Sequence, residues 1–151
     1  MFRGINAVNM DGKGRLAMPT RYRDRLQQDA SGQIVVTIDT EEHCLLLYPL
    51  PAWEMIEAKL AKLPSFNAQA RRIQRLLVGH ATELEMDAQG RILVPPLLRE
   101  YAGLDKKVIL LGQSNKFELW SEAAWEERRS DWLSEEQTED DLPDELQNIA
   151  L

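Results

Sequence analysis

One arrangement of charged residues occurs twice in this chain. Asp11-Gly12-Lys13-Gly14-Arg15 and Asp87-Ala88-Gln89-Gly90-Arg91 each put a carboxylate four residues before a guanidinium, with glycine next to the arginine. If each pentapeptide is a tight turn, aspartate and arginine lie opposite each other and form a cross-strand charge pair. An arginine held at such a turn can also reach into a DNA groove and make a bidentate contact with guanine. These residues therefore support two chemistries, a clamp that closes a hairpin and a reader of nucleic acid. A phosphate loop is a third, superficial match. The GxxxxGK[ST] spacing is absent, so neither a backbone cradle nor a magnesium-binding hydroxyl follows.

Other reactive side chains are sparse. His43 and His80 have no HxxxH or CxxC context, so neither a metal nor a cofactor is expected. Cys44 sits in the apolar run Cys44-Leu45-Leu46-Leu47-Tyr48 and reads as a small buried hydrophobe. A single cysteine forms no internal disulfide and predicts a reducing compartment. No nucleophile–base set is visible, so no enzyme activity is expected.

The two turns belong to a longer repeat. Residues 10–25 (MDGKGRLAMPTRYRDR) and 86–101 (MDAQGRILVPPLLREY) share six of sixteen positions at an offset of 76. Chance would give about one. The match resumes at an offset of 72, where Leu47-Tyr48 meets Leu119-Trp120 and Trp53-Glu54 meets Trp125-Glu126. The common signature is D-x-x-G-R-[LI]-x-[MV]-P-x-x-x-R. Its structural part is expected to be Asp11, Gly14, Asp87, Gly90 and Arg91.

Around each turn the same elements are predicted. An apolar stretch (5–8 or 81–86) leads into the turn, and a short strand follows (15–18 or 91–94). Pro19 and Pro95–Pro96 open a short helix. Two strands come next, 34–38 and 44–48 in the first copy, 108–111 and 116–120 in the second. A helix over 51–63 places Trp53, Ile56, Leu60 and Leu63 on one face. Ser121 caps the matching helix, which carries Ala124, Trp125 and Trp132 as core residues. A third helix runs from Asn67 and ends at Gly79. The boundaries follow as 1–54 for the first repeat, 55–80 for a helical connector, 81–126 for the second repeat and 127–151 for an acidic tail. Four short strands bury too little alone. The two copies are therefore expected to complete each other as a pseudo-two-fold mixed barrel, with apolar helix faces left for self-assembly.

Charge separates the copies. The chain has 18 Lys and Arg against 25 Asp and Glu, a net −7 that argues at first against nucleic acid. Residues 121–151 account for −9 of it, and residues 1–120 carry +2. In matched windows, 5–27 carries +3 and 81–103 carries −2. Lys13 becomes Gln89, Arg21 becomes Leu97, and Arg25 becomes Tyr101. A solvated basic face is the plain alternative for any one arginine. Five bases in one frame, depleted in the other, favour a polyanionic partner.

Together these residues closely resemble the MraZ family. The resemblance covers essentially residues 1–125. It rests on the paired D-x-x-G-R turns, Phe2-Arg3-Gly4, Pro19-Thr20-Arg21-Tyr22-Arg23 and Tyr48-Pro49-Leu50. It implies an α+β fold of tandem swapped-hairpin AbrB/SpoVT-like repeats, forming a pseudo-two-fold β-barrel with flanking helices. It further implies a bacterial transcriptional regulator, cytoplasmic and nucleoid-associated. Such a protein binds direct repeats upstream of its own gene and represses the division and cell-wall cluster. Its partners would be double-stranded DNA and further copies of itself, in a ring of about eight or more subunits whose avidity strengthens weak contacts. The D-x-x-x-R arginine of the first repeat maps onto Arg15 as principal DNA contact. Lys13, Arg3, Arg21 and Arg23 are the phosphate-neutralising candidates beside it.

Another class of function fits the same features. An oligomeric scaffold or protein-interaction module could use the basic loops for an acidic partner. Residues 134–151 read as disordered on charge, with Leu142, Leu146 and Ile149 able to form a short docked helix after Pro143. A tail of that charge would either solvate the protein or compete with DNA for the basic loops. The start Met1-Phe2-Arg3-Gly4-Ile5-Asn6 lacks the apolar core of a signal peptide, and no apolar run reaches the roughly 20 residues of a membrane span. A cytosolic setting, with no membrane partner, is the expectation.

Overall fold

Short strands bounded by prolines and glycine turns set the order of elements. In the computed structural model, which describes residues 1–135 and 143–149, the first copy runs β1 (Phe2–Asn9), β2 (Arg15–Ala17), α1 (Thr20–Ala30), β3 (Gln33–Ile38), β4 (Leu45–Pro49) and α2 (Leu50–Ala61). The connector helix is α3 (Ala68–His80). The second copy repeats the series as β5 (Thr82–Glu85), β6 (Arg91–Leu93), α4 (Pro96–Ala102), β7 (Lys107–Ser114), β8 (Lys116–Ser121) and α5 (Glu122–Ser134). A single turn, α6 (Asp144–Gln147), follows.

Strand pairing exchanges the copies. Six strands form one sheet in the order β1-β7-β8-β4-β3-β5, and β2 pairs with β6 as a separate two-stranded ribbon. Swapping the copies reads the same order backwards, so the sheet has a pseudo-two-fold axis between β4 and β8. The axis passes through the Leu46–Glu118 pair there and through the Leu16–Ile92 pair in the ribbon. Every described pairing is antiparallel, so the barrel is not the mixed one expected.

The local hairpin is also less complete than its turn suggests. β1 makes its ladder with β7 of the other copy, from Phe2–Ser114 to Asn9–Lys107. Among the described residues, its ladder toward β2 is reduced to the isolated Met10–Leu16 bridge. The hairpins are thus swapped, in an α+β fold of the AbrB-like type. Burial explains the exchange. Pairing β2 with β6 stacks Leu16 and Ile92 over the sheet, each 1% exposed. Both join one core with Ile34, Val36, Leu45 and Leu47 of the first copy and Val108, Leu110, Phe117 and Leu119 of the second. Neither copy encloses a core alone. The ribbon closes the barrel through side chains rather than through a continuous ladder.

The helices seal the outside. α1 is longer than the expected short helix and ends where Ser31 turns left-handed, its N–H and that of Gly32 donating to Gln27 O and Leu26 O. On α2, Trp53 is buried against Tyr48. Leu63 lies beyond the helix end and is exposed, contrary to the single-face reading. Asn67 caps α3 by accepting from Ala70 N. Gly79 does not end this helix, which continues to His80, whose Nδ1 lies 2.7 Å from Leu76 O. Ser121 caps α5 as expected, accepting from Ala124 N at 3.2 Å. Trp120 is buried beside Cys44 and Ile109. Trp132 is 39% exposed and covers the edge of that cluster instead of entering it. In the acidic tail, Leu146 and Ile149 are exposed, while Leu142 lies outside the described residues. No helix among the described residues is long and apolar enough to cross a membrane.

The ribbon's role as a lid can be measured. Leu16→Ala and Ile92→Ala should each cost about 2–5 kcal/mol, as buried leucine and isoleucine truncations do. Denaturant unfolding checks this, and near-equal losses are expected because the two sites are one position across the axis.

Candidate nucleic-acid interface

The clamp of the first turn is built by one carboxylate. Asp11 Oδ1 accepts from Lys13 N and Arg15 N, both at 2.9 Å, while Oδ2 accepts from Arg15 Nε at 2.8 Å. Main-chain bonds close the same turn, from Gly14 N to Asp11 O at 3.0 Å and from Asp11 N to Arg15 O at 2.9 Å. These contacts hold the Asp11 carboxyl down at about 2, chiefly through the Arg15 N–H, against an opposing desolvation and with help from the Arg15 side chain. Asp87 repeats the arrangement with Gln89 N, Arg91 N and Arg91 Nε, and its pKa is lowered for the same leading reason. Side-chain exposure is 36% for Arg15 and 37% for Arg91. The clamps are therefore equal in geometry, and only their surroundings differ.

The ribbon brings both arginines onto one surface. Arg15 lies opposite Leu93, and Ala17 opposite Arg91. Side chains alternate along a strand, so with Leu16 and Ile92 inward these four residues form the outer face. Arg15 and Arg91 are diagonal neighbours on it, about 7–8 Å apart by strand geometry. Their Nε atoms are taken by aspartate, and no acceptor among the described residues holds their terminal nitrogens. A two-stranded ribbon carrying outward guanidinium groups has the size and donors to enter a major groove.

The remaining sequence candidates separate. Lys13 stands at the exposed tip of the first turn. Arg3 lies at the other end of β1, six residues from Asn9 and so about 20 Å along the strand. Arg21 is near that end too, where its Nη2 donates to Asn6 Oδ1 at 2.6 Å and to Tyr22 Oη at 2.9 Å. Tyr22 in turn donates to Arg3 O. Arg25 donates to Met1 O and pairs with Asp29.

Arg23 has a structural contact that the sequence reading does not anticipate. Its Nε donates to Met18 O at 2.6 Å, and its side chain covers Gly90, the turn glycine of the second copy. Arg99 occupies the matching place over Gly14 of the first copy. Both glycines have positive φ, 89° at Gly14 and 74° at Gly90, a conformation that side chains resist. The signal for this pair was present in the sequence. Arg23 and Arg99 close the shared signature in both copies, whereas Lys13, Arg21 and Arg25 have no basic counterpart.

A family model for the MraZ protein matches residues 1–76 and again residues 77–146. This chain belongs to the MraZ family. Similar curated MraZ proteins include the transcriptional regulator MraZ of Halorhodospira halophila and that of Coxiella burnetii, each 59% identical over 152 residues. The transcriptional regulator MraZ of Legionella pneumophila is 58% identical over 152 residues. In all three cases the match spans the whole of this chain and the whole of the relative. The two MraZ matches fall on the two copies that exchange strands, with each match containing one aspartate–arginine clamp.

The clamp has a pH signature. A carboxyl depressed in the folded state adds stability above its ordinary value of 3.8, and that stability is lost as the pH falls through about 2. The side-chain carboxyl carbon of Asp11 should titrate near the lower value by NMR, with Lys13 and Arg15 amides losing protection in step. A midpoint at the ordinary aspartate value would refute the clamp.

Proposed function

We propose that this protein is a transcriptional regulator that binds double-stranded DNA with the outer face of the β2–β6 ribbon. The observation that carries the reading is the pair of clamped arginines on that face, with a basic tip beside only one of them. Arg15 reads base edges in the major groove, and Asp11 holds it extended for that purpose. Lys13 neutralises a phosphate at the tip. Arg3 and Arg21 serve flanking phosphates further along β1. Arg23 stays in this set through its terminal nitrogens, since among the described residues only its Nε has an internal acceptor. The second turn, with Gln89 and Leu97 in place of bases, contributes less.

Names of the relatives support transcription as the process. The family resemblance adds the finer terms: direct repeats upstream of the protein's own gene, repression of a division and cell-wall cluster, and a place on the nucleoid in the cytoplasm. Self-assembly into a ring would let several Arg15 turns engage successive repeats. Exposed apolar side chains support that assembly. Phe66 is 99% exposed, and a groove of about 410 Å³ between α2 and α3 is lined partly by Leu60, Ala61 and Val78.

Gel shifts on the DNA upstream of the gene test this reading. Arg15→Ala should cost about 1–3 kcal/mol per contacted site, and Arg91→Ala clearly less. Affinity should fall steeply with salt, and Lys13→Ala should make the slope shallower. Equal losses for Arg15 and Arg91 would overturn the asymmetry. Binding to an acidic protein, with none to this DNA, would favour the scaffold reading instead.

A further inference from the structure

We infer that Arg99 is a positioning residue for the DNA-facing turn of the opposite copy, so that the first turn is held in shape by the second repeat. The inference rests on the proposed role of Arg15 and extends it to a residue 84 positions further along the chain.

Two contacts tie the second copy to the first turn. Val94 N donates to Gly14 O at 2.9 Å, which fixes the carbonyl that precedes Arg15. Pro95 then opens α4, and Arg99 N donates to Pro95 O. From the first turn of α4 the Arg99 side chain lies back over the Gly14 turn. A Cβ built on Gly14 would stand 2.7 Å from Arg99 Cζ, 2.7 Å from Nε and 2.9 Å from Cδ. Three successive side-chain atoms at nearly one distance mean that the arginine lies across the glycine instead of pointing at it. Gly14 therefore has its carbonyl held from one side and its Cα covered from another.

The mirror contact exists at the second turn. Met18 N donates to Gly90 O at 2.8 Å, and Arg23 lies over Gly90. Arg23 Nε has Met18 O as acceptor. Arg99 Nε is buried and has no partner among the described residues. A buried donor left without an acceptor costs free energy. Arg99 therefore meets the first turn by packing over Gly14, without the internal Nε hydrogen bond that Arg23 makes. The charge comparison of the copies assigned DNA contact to the first. The geometry makes the shape of that contact depend on an arginine of the second.

Hydrogen–deuterium exchange on the intact protein separates this from a general structural role. Arg99→Ala should speed exchange severalfold at the Lys13 and Arg15 amides and leave Gln89 and Arg91 unchanged. Arg23→Ala should do the reverse. Promoter DNA affinity should fall severalfold for Arg99→Ala, by less for Arg23→Ala, with the salt slope of Arg99→Ala unaltered. Each lost phosphate contact would instead lower that slope by about 0.9, and such a drop would overturn the inference. So would exchange that quickens at the variant's own turn, or at neither turn. If Arg99→Ala does not fold, Arg99→Lys keeps the charge and loses the planar group, and the same crossed pattern is expected in weaker form. Should the crossed pattern appear while Arg15→Ala leaves DNA binding intact, the positioning role stands and the DNA reading alone fails.

Discussion

The rest of this structure depends on three residues pairing with three. β2 and β6 are too short to hold a hairpin with their own neighbours, and each finds its ladder only in the other copy. That exchange puts Leu16 against Ile92 as the lid of a shared core. It sends β1 to β7 and β5 to β3, because a strand whose hairpin partner has left must pair elsewhere. It also carries Arg15 and Arg91 onto one outward face. Without the ribbon there would be two small repeats, each with an open apolar side and a solitary arginine.

The two copies share that pairing but differ in charge. The clamps match in their hydrogen bonds and exposure, so the copies differ in what surrounds them and not in clamp geometry. Lys13 stands at the tip of one turn and Gln89 at that of the other, while the exchange of Arg21 for Leu97 lies toward the far end of β1. Each turn is also braced from across the axis, by a backbone N–H and by an arginine over a glycine. In the proposed reading, the copy with fewer bases braces the turn of the copy with more.

Much of the site was legible because its order is local. The Asp11–Arg15 clamp spans four residues, and Gly14 beside it meets the need for a positive φ. Asn67 and Ser121 announced helix starts, since a cap reaches only to the residue three ahead. Gly79 and Leu63 misled for the opposite reason. Glycine is tolerated inside a helix when neighbouring turns carry it, and a helical apolar face says nothing of where the helix stops. Charge counted by segment cannot show that Arg23 also bonds Met18 O and covers the other copy's turn.

The sequence by itself determined the repeat, the two clamps and the basic bias of the first copy, because these are written in residue types within a few positions of each other. It also pointed to two copies completing each other's core, since each has few apolar strands and lies near the size limit for folding alone. Only the tertiary structure decided which strands exchange, that both arginines share a face, and that Arg23 and Arg99 each cover the other copy's turn. Those outcomes depend on burying Leu16 and Ile92 together across the axis, a condition set by the packing of residues 76 positions apart and not by their neighbours in the chain.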